Sequence, residues 1–193
     1  MPILTTLFRA DGVNVHGKTV QRTAVRAVIR RGRELLMVYS ATVGDYIMPT
    51  VENCAFRPLK ERNFQPSGYK FPGGGVDEGE SQAEALRREV LEECGATLVR
   101  IGREIGAVVE YNHASDEGFD TFKMISHYFL CDAAQGFGPQ RLDDYEADLG
   151  FEPRWISIEE ALRANRSLLG TASAPDWLKR ELFMLEYLQD LPL

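Results

Sequence analysis

The chain has 193 residues, enough for one domain with a substantial core. Hydrophobic residues make up 44% and charged residues 26%, an ordinary globular composition, and no apolar run is long enough to span a membrane. The formal net charge of −7 excludes a protein built chiefly to coat duplex nucleic acid, and Cys54, Cys94 and Cys131, without paired ligand spacing, fit reduced thiols in a cytoplasmic protein.

Residues 1–20 predict an N-terminal arm, with a short strand at 5–8 and a turn at Asp11 and Gly12. Residues 22–30 and 34–39, joined across Arg31 and Gly32, predict a hairpin with one buried face. Arg22 and Arg26 share one side of its first strand and are candidates for phosphate contact. Residues 41–67 break the pattern with Pro49, Pro58 and Pro66 and read as an insertion. Its Tyr46, Phe56 and Phe64 are expected to face a substrate base or the partner subunit of a homodimer. Lys70 precedes a glycine-rich loop, Gly73-Gly74-Gly75, that lets backbone approach an anion closely.

A helix follows. Ser81 and Glu84 fit a capping box, and Gly95 sits where a left-handed residue ends a helix. Glu89, Glu92 and Glu93 are spaced i, i+3 and i+4 and therefore share a face. Carboxylates this close repel one another, and a hard divalent cation relieves the repulsion. Arg88 is placed to bind Glu84 or Glu92, or to reach back to Glu80. Together these features suit Mg²⁺ or Mn²⁺ beside a diphosphate, with water activated for attack on phosphorus.

Past the helix, residues 98–101, 105–111 and 121–131 predict three strands, and 112–118 and 135–139 predict loops. The acidic stretch 143–148, expected as a loop after the central strands, supplies Asp143, Asp144 and Glu146, which with Glu110 are candidates for a later metal ligand or base. Residues 151–156 predict a last strand, Ser157 opens a helix, and 175–190 predict a C-terminal helix with Leu178, Leu182, Leu185 and Leu188 on its apolar side. This order of elements makes an α/β or α+β sandwich.

The run over residues 74–96, GGVDEGESQAEALRREVLEECGA, resembles the Nudix box at each fixed position, softened only by Ala96 where the family prefers a bulkier apolar residue. The resemblance implies a single Nudix domain with a mixed β-sheet between α-helices. It implies a metal-dependent hydrolase that cleaves the diphosphate linkage of a small nucleotide-type substrate. It assigns metal binding to Glu89, Glu92, Glu93 and the Gly73 carbonyl, orientation of the glutamates to Arg88, and a structural role to Glu80. Glu92, Glu93 and Arg88 are thus the expected catalytic residues, and Lys70, Gly74 and Arg26 the expected substrate contacts. The resemblance leaves the base open, with Glu146 and Asp144 preferred, and sets Tyr111 near the point where some members stack a base. Two other readings share the fold: a catalytically silent nucleotide sensor and an isoprenoid diphosphate isomerase. The complete glutamate trio argues against both.

Overall fold

The computed structural model describes residues 2–40, 68–171 and 174–191. In chain order these form β1 (Ile3–Phe8), β2 (Thr19–Arg31), β3 (Glu34–Ser40), β4 (Gly68–Lys70), α1 (Gln82–Cys94), β5 (Leu98–His113), β6 (Thr121–Ala133), α2 (Asp144–Asp148), β7 (Phe151–Ser157), α3 (Ile158–Ser167) and α4 (Leu178–Gln189). The expected insertion over 41–67, with its aromatic residues and Cys54, lies outside the described residues.

Among the described residues the strands run β1-β5-β6-β2-β3-β4, with β7 added on β3. Pairing is mixed: β1 with β5 and β2 with β6 are parallel, whereas β5 with β6 and β3 with β7 are antiparallel. Helices cover both faces of β2. Ala85, Leu86, Val90 and Cys94 of α1 pack with Val25, Ala27 and Ile29 on one side. Leu178, Leu182, Leu185 and Leu188 of α4 pack with Val28, Phe71 and Tyr128 on the other. The expected mixed sheet between helices is therefore present.

Three local expectations need correction. The first strand of the hairpin is buried on both faces from Ala24 to Ile29, because helices flank it on either side. The two strands expected over 98–111 are one strand, β5, which absorbs its irregularities as shifts of register against β6. At Gly106 in that strand φ is 153°, and a β-carbon would press on Leu4 of β1. The acidic stretch is a short helix, α2, because Asp143 and Glu146 close a reciprocal capping box.

α1 begins and ends as its sequence dictates. The Ser81 side chain accepts from Glu84 N, Glu84 reaches back to Ser81 N, and Gly95 closes the helix at φ 64°. A side chain at position 95 would collide with the Gly138 carbonyl, so the loop after β6 is docked against the helix end.

Candidate active site

The site lies where the 71–75 loop, α1 and α2 meet the middle of β2. The Ala27 N–H donates to the Pro72 carbonyl at 2.8 Å and the Val25 N–H to the Gly74 carbonyl at 2.9 Å, so the loop is bonded to the central strand. The glycines are required by contact: a β-carbon on Gly73 would overlap the Val25 carbonyl, and one on Gly74 would overlap the Glu89 carboxylate.

Glu93 is the most enclosed acid of α1, 1% exposed. Lys70 Nζ donates to its Oε1 at 2.6 Å and the Gly73 N–H to its Oε2 at 2.8 Å. Arg26, buried in β2, donates to the Gly73 carbonyl, the atom expected to serve as a further metal ligand. Carboxylate oxygens of Glu89, Glu93 and Glu146 lie within 4.8 Å of one another. Burial and the Glu93 charge push the Glu89 carboxyl upward against the pull of Arg88. The same two causes push Glu146 up to about 7. A divalent cation with oxygen preference fits this donor set: three acids converge and two of them hold their protons more tightly than usual.

Arg88 collects the remaining acids of the box. It bonds Glu80 at 2.9 and 2.8 Å, Glu89 at 2.8 Å, Glu92 at 3.2 Å and the Gly75 carbonyl at 3.0 Å. The Arg88 bonds hold Glu80 below the usual carboxylate range despite its partial burial. Glu92, 36% exposed, leans to Arg88 and stands outside the close trio. The trio that converges is thus Glu89, Glu93 and Glu146.

Beside this acid group opens a cleft of about 560 Å³ lined by Arg22, Arg26 and Lys70, with Tyr145 and Trp177 at its walls. Lys70 belongs to both halves, since it bonds Glu93 and lines the cleft. Arg22 makes no ion pair among the described residues. Tyr111 is elsewhere: its ring stacks on Phe8 at 5.7 Å, and its neighbours Asn112 and His113 line the cleft instead. Asp144 is exposed in α2 and outside the trio, and Asp143 is spent as the α2 cap.

Glu110 is removed from the acid group by pairing. Arg180 Nη1 meets it at 2.8 Å and Arg9 Nε at 3.1 Å. Burial works to raise its carboxyl, but the two guanidinium groups outweigh burial and hold it low. Arg180 also bonds Glu181 at 2.8 Å, and Glu181 accepts from the Phe71 N–H at 2.9 Å. Buried Asn165 bonds the Tyr69 N–H and carbonyl, each at 2.8 Å. These residues brace the strand and loop that carry Lys70 and Gly73; sequence reasoning missed Arg9, Asn165, Arg180 and Glu181, and took Glu110 as a candidate ligand or base rather than a brace. The available signal was a charged pair, Arg180 and Glu181, set within the leucine stripe of a helix.

Residues 20–176 match the NUDIX domain, and the chain belongs to that family. An RNA pyrophosphohydrolase of Helicobacter pylori (strain ATCC 700392 / 26695) is 35% identical over 79 residues, 40% of this chain and 51% of that protein. Another, of Caulobacter vibrioides (strain NA1000 / CB15N), is 48% identical over 48 residues, 24% and 28% respectively. The chain spans about half the length, or less, of these curated relatives. A NUDIX hydrolase from Nitrosomonas europaea is similar in structure, with a TM-score of 0.53 at 20% identity, covering 88% of this chain and 90% of that one. The MutT protein from Methanosarcina mazei Go1 has a TM-score of 0.51 at 19% identity, covering 90% and 98%. At these identities the two structures establish the shared fold. Among the described residues no helix is long and apolar enough to cross a membrane.

Proposed function

We propose that the chain is a divalent-cation-dependent hydrolase of a P–O–P linkage in a nucleotide-type substrate, using Mg²⁺ or Mn²⁺. One observation carries this reading: three converging carboxylates adjoin a cleft lined by Arg22, Arg26 and Lys70. Glu89, Glu93 and Glu146 would hold the cation, with Glu92 as a further ligand from the exposed side of α1. When bound, the cation neutralises diphosphate oxygens and acidifies water.

The chain's own residues divide the remaining work. Arg22 and Arg26 pair with phosphate oxygens, which positions the linkage and offsets charge that builds as the bond breaks. Glu146 accepts the proton of the attacking water on a carboxylate oxygen not engaged with the cation. Lys70 holds Glu93 in place. Arg88 and Glu80 fix the glycine loop against α1. Water oxygen bonds to phosphorus, the bridging oxygen departs, and two phosphate-bearing fragments result. The name of the curated relatives puts RNA beside free nucleotides among substrates to test.

The deciding experiment is a panel of nucleoside di- and triphosphates, dinucleoside polyphosphates, nucleotide sugars and phosphorylated RNA, assayed with Mg²⁺ in ¹⁸O-labelled water. The expected result is label on one of two phosphate-bearing products. Binding without turnover across the panel supports a nucleotide sensor instead. Release of inorganic phosphate from simple monoesters alone overturns the reading.

A further inference from the structure

A second concavity, of about 580 Å³, lies at the end of β2 away from Arg22 and Arg26. That volume is ordinary for a small-molecule site. Ile29 and Ala133 contribute its apolar lining, and Phe137 and Trp155 its aromatic wall. The two rings are nearly parallel, 16° apart in plane, with centroids 6.2 Å apart. Arg31 lies over the Trp155 ring at 4.3 Å while bonding Glu34 at 2.8 Å, which fixes the indole.

A single exposed Phe is unexceptional. Phe137 differs because it is 40% exposed on a loop that is tied down. Gly138 N donates to the Gly95 carbonyl at 2.7 Å, Ala134 N to the Thr97 carbonyl at 2.8 Å, and Gln140 Nε2 to the Phe151 carbonyl at 3.0 Å. Gly136 turns the backbone at φ 84°, where other residues are strained. The chain therefore presents the ring rather than burying it. At the rim, Asp132 is neutralised by Arg100 at 2.6 Å. Arg30, also at the rim, has a 3.3 Å bond to the Gly32 carbonyl and no acidic partner among the described residues.

We propose that this concavity is a second, non-catalytic site for a nucleoside monophosphate. The base stacks on the exposed face of Phe137, which packs on Trp155, and the phosphate pairs with Arg30. The proposal stands apart from the hydrolytic reading, since it uses none of the box side chains and its ligand contains no P–O–P bond to break.

The test uses Trp155 as its own reporter. The sequence has two tryptophans, Trp155 and Trp177, so Trp177→Phe leaves Trp155 as the sole source of indole fluorescence. AMP is expected to quench that fluorescence saturably, whereas ribose 5-phosphate, lacking a base, is not. Phe137→Ala in this background should weaken AMP by about tenfold or more, as loss of a stacking ring does. Arg30→Gln should weaken it by about threefold or more, as loss of a phosphate partner does. Both side chains are exposed, and an unchanged melting temperature verifies that the fold is kept. Absence of saturable quenching up to about 10 mM AMP overturns the proposal. So does an AMP affinity that Phe137→Ala leaves unchanged, which would move binding to the cleft beside Lys70.

Discussion

The molecule holds two enclosed groups of charged side chains, a few residues apart along the 69–75 segment, and they are built to opposite ends. Around α4, Glu110 and Glu181 meet Arg180 and Arg9, acid against base, and Glu110 is held low. Around α1, Glu89, Glu93 and Glu146 converge with Lys70 as the partner of Glu93, while Arg88 is divided among Glu80, Glu89, Glu92 and Asp77. There Glu89 and Glu146 are pushed up. Buried charge is tolerated when it is paired. The balanced group is a brace. The acid-rich group is short of positive charge, which a divalent cation would supply. Both groups meet at the glycine loop: Glu181 takes the Phe71 N–H and Glu93 takes the Gly73 N–H.

Breaking the two groups should therefore fail in different ways. The largest effect is expected for Glu93→Gln, which should lower turnover by about a thousandfold or more, because a lost ligand removes water activation and charge neutralisation together. Steady-state kinetics on the best substrate of the panel measure this, and a folded variant with near-wild-type turnover at saturating Mg²⁺ would dissolve the distinction. Arg180→Ala should instead cost stability, about 3–5 kcal/mol, by leaving Glu110 and Glu181 enclosed without their shared cation. Urea denaturation reads this out, and a loss below about 1 kcal/mol would mean the brace is incidental.

The pH dependence sharpens the contrast. Folded Glu146 keeps its proton up to about 7, whereas the ordinary value is 4.5. Between those values the folded chain binds more protons than the unfolded chain, so stability without metal falls as pH rises through the window and the penalty is complete above it. Melting temperatures from pH 4 to 8 should show this fall in the metal-free protein, and Glu146→Gln should flatten it. Added Mg²⁺ should stabilise the protein more at pH 8 than at pH 5, since it binds the deprotonated carboxylates. A metal-free profile that Glu146→Gln leaves unchanged would place Glu146 in an ordinary solvated setting. The smallest effect is expected for Glu80→Gln, about tenfold in turnover, because Arg88 would keep Glu89 and Glu92 while losing its grip on the loop.

The helix and its caps were legible because their signals are local: Ser81, Glu84 and Gly95 act within a turn of themselves. Glu89 and Glu93 were legible for the same reason, through helical spacing. Glu146 was singled out only as one of a preferred pair with Asp144, since its place beside Glu93 depends on how the α2 segment packs across 53 residues of chain. Helical spacing and the family resemblance both group Glu92 with Glu89 and Glu93, and neither tells which of two adjacent glutamates turns toward Arg88. Tyr111 was located in sequence but not in space, because its side of β5 is decided by the pairing with β1. The brace around Arg180 was hidden because each of its acid–base contacts to Glu110 and Arg9 spans a large part of the chain.

The central claim is that Glu89, Glu93 and Glu146 together form the cation site. Calorimetric titration of the full chain with Mn²⁺ at pH 7.5 tests it most directly, with Glu89→Gln, Glu93→Gln and Glu146→Gln set against Asp144→Asn. The three site variants should each weaken Mn²⁺ by about tenfold or more, and Asp144→Asn should match the wild type. A wild-type chain that takes up no Mn²⁺, or a Glu146→Gln variant that binds it unchanged, would contradict the assignment.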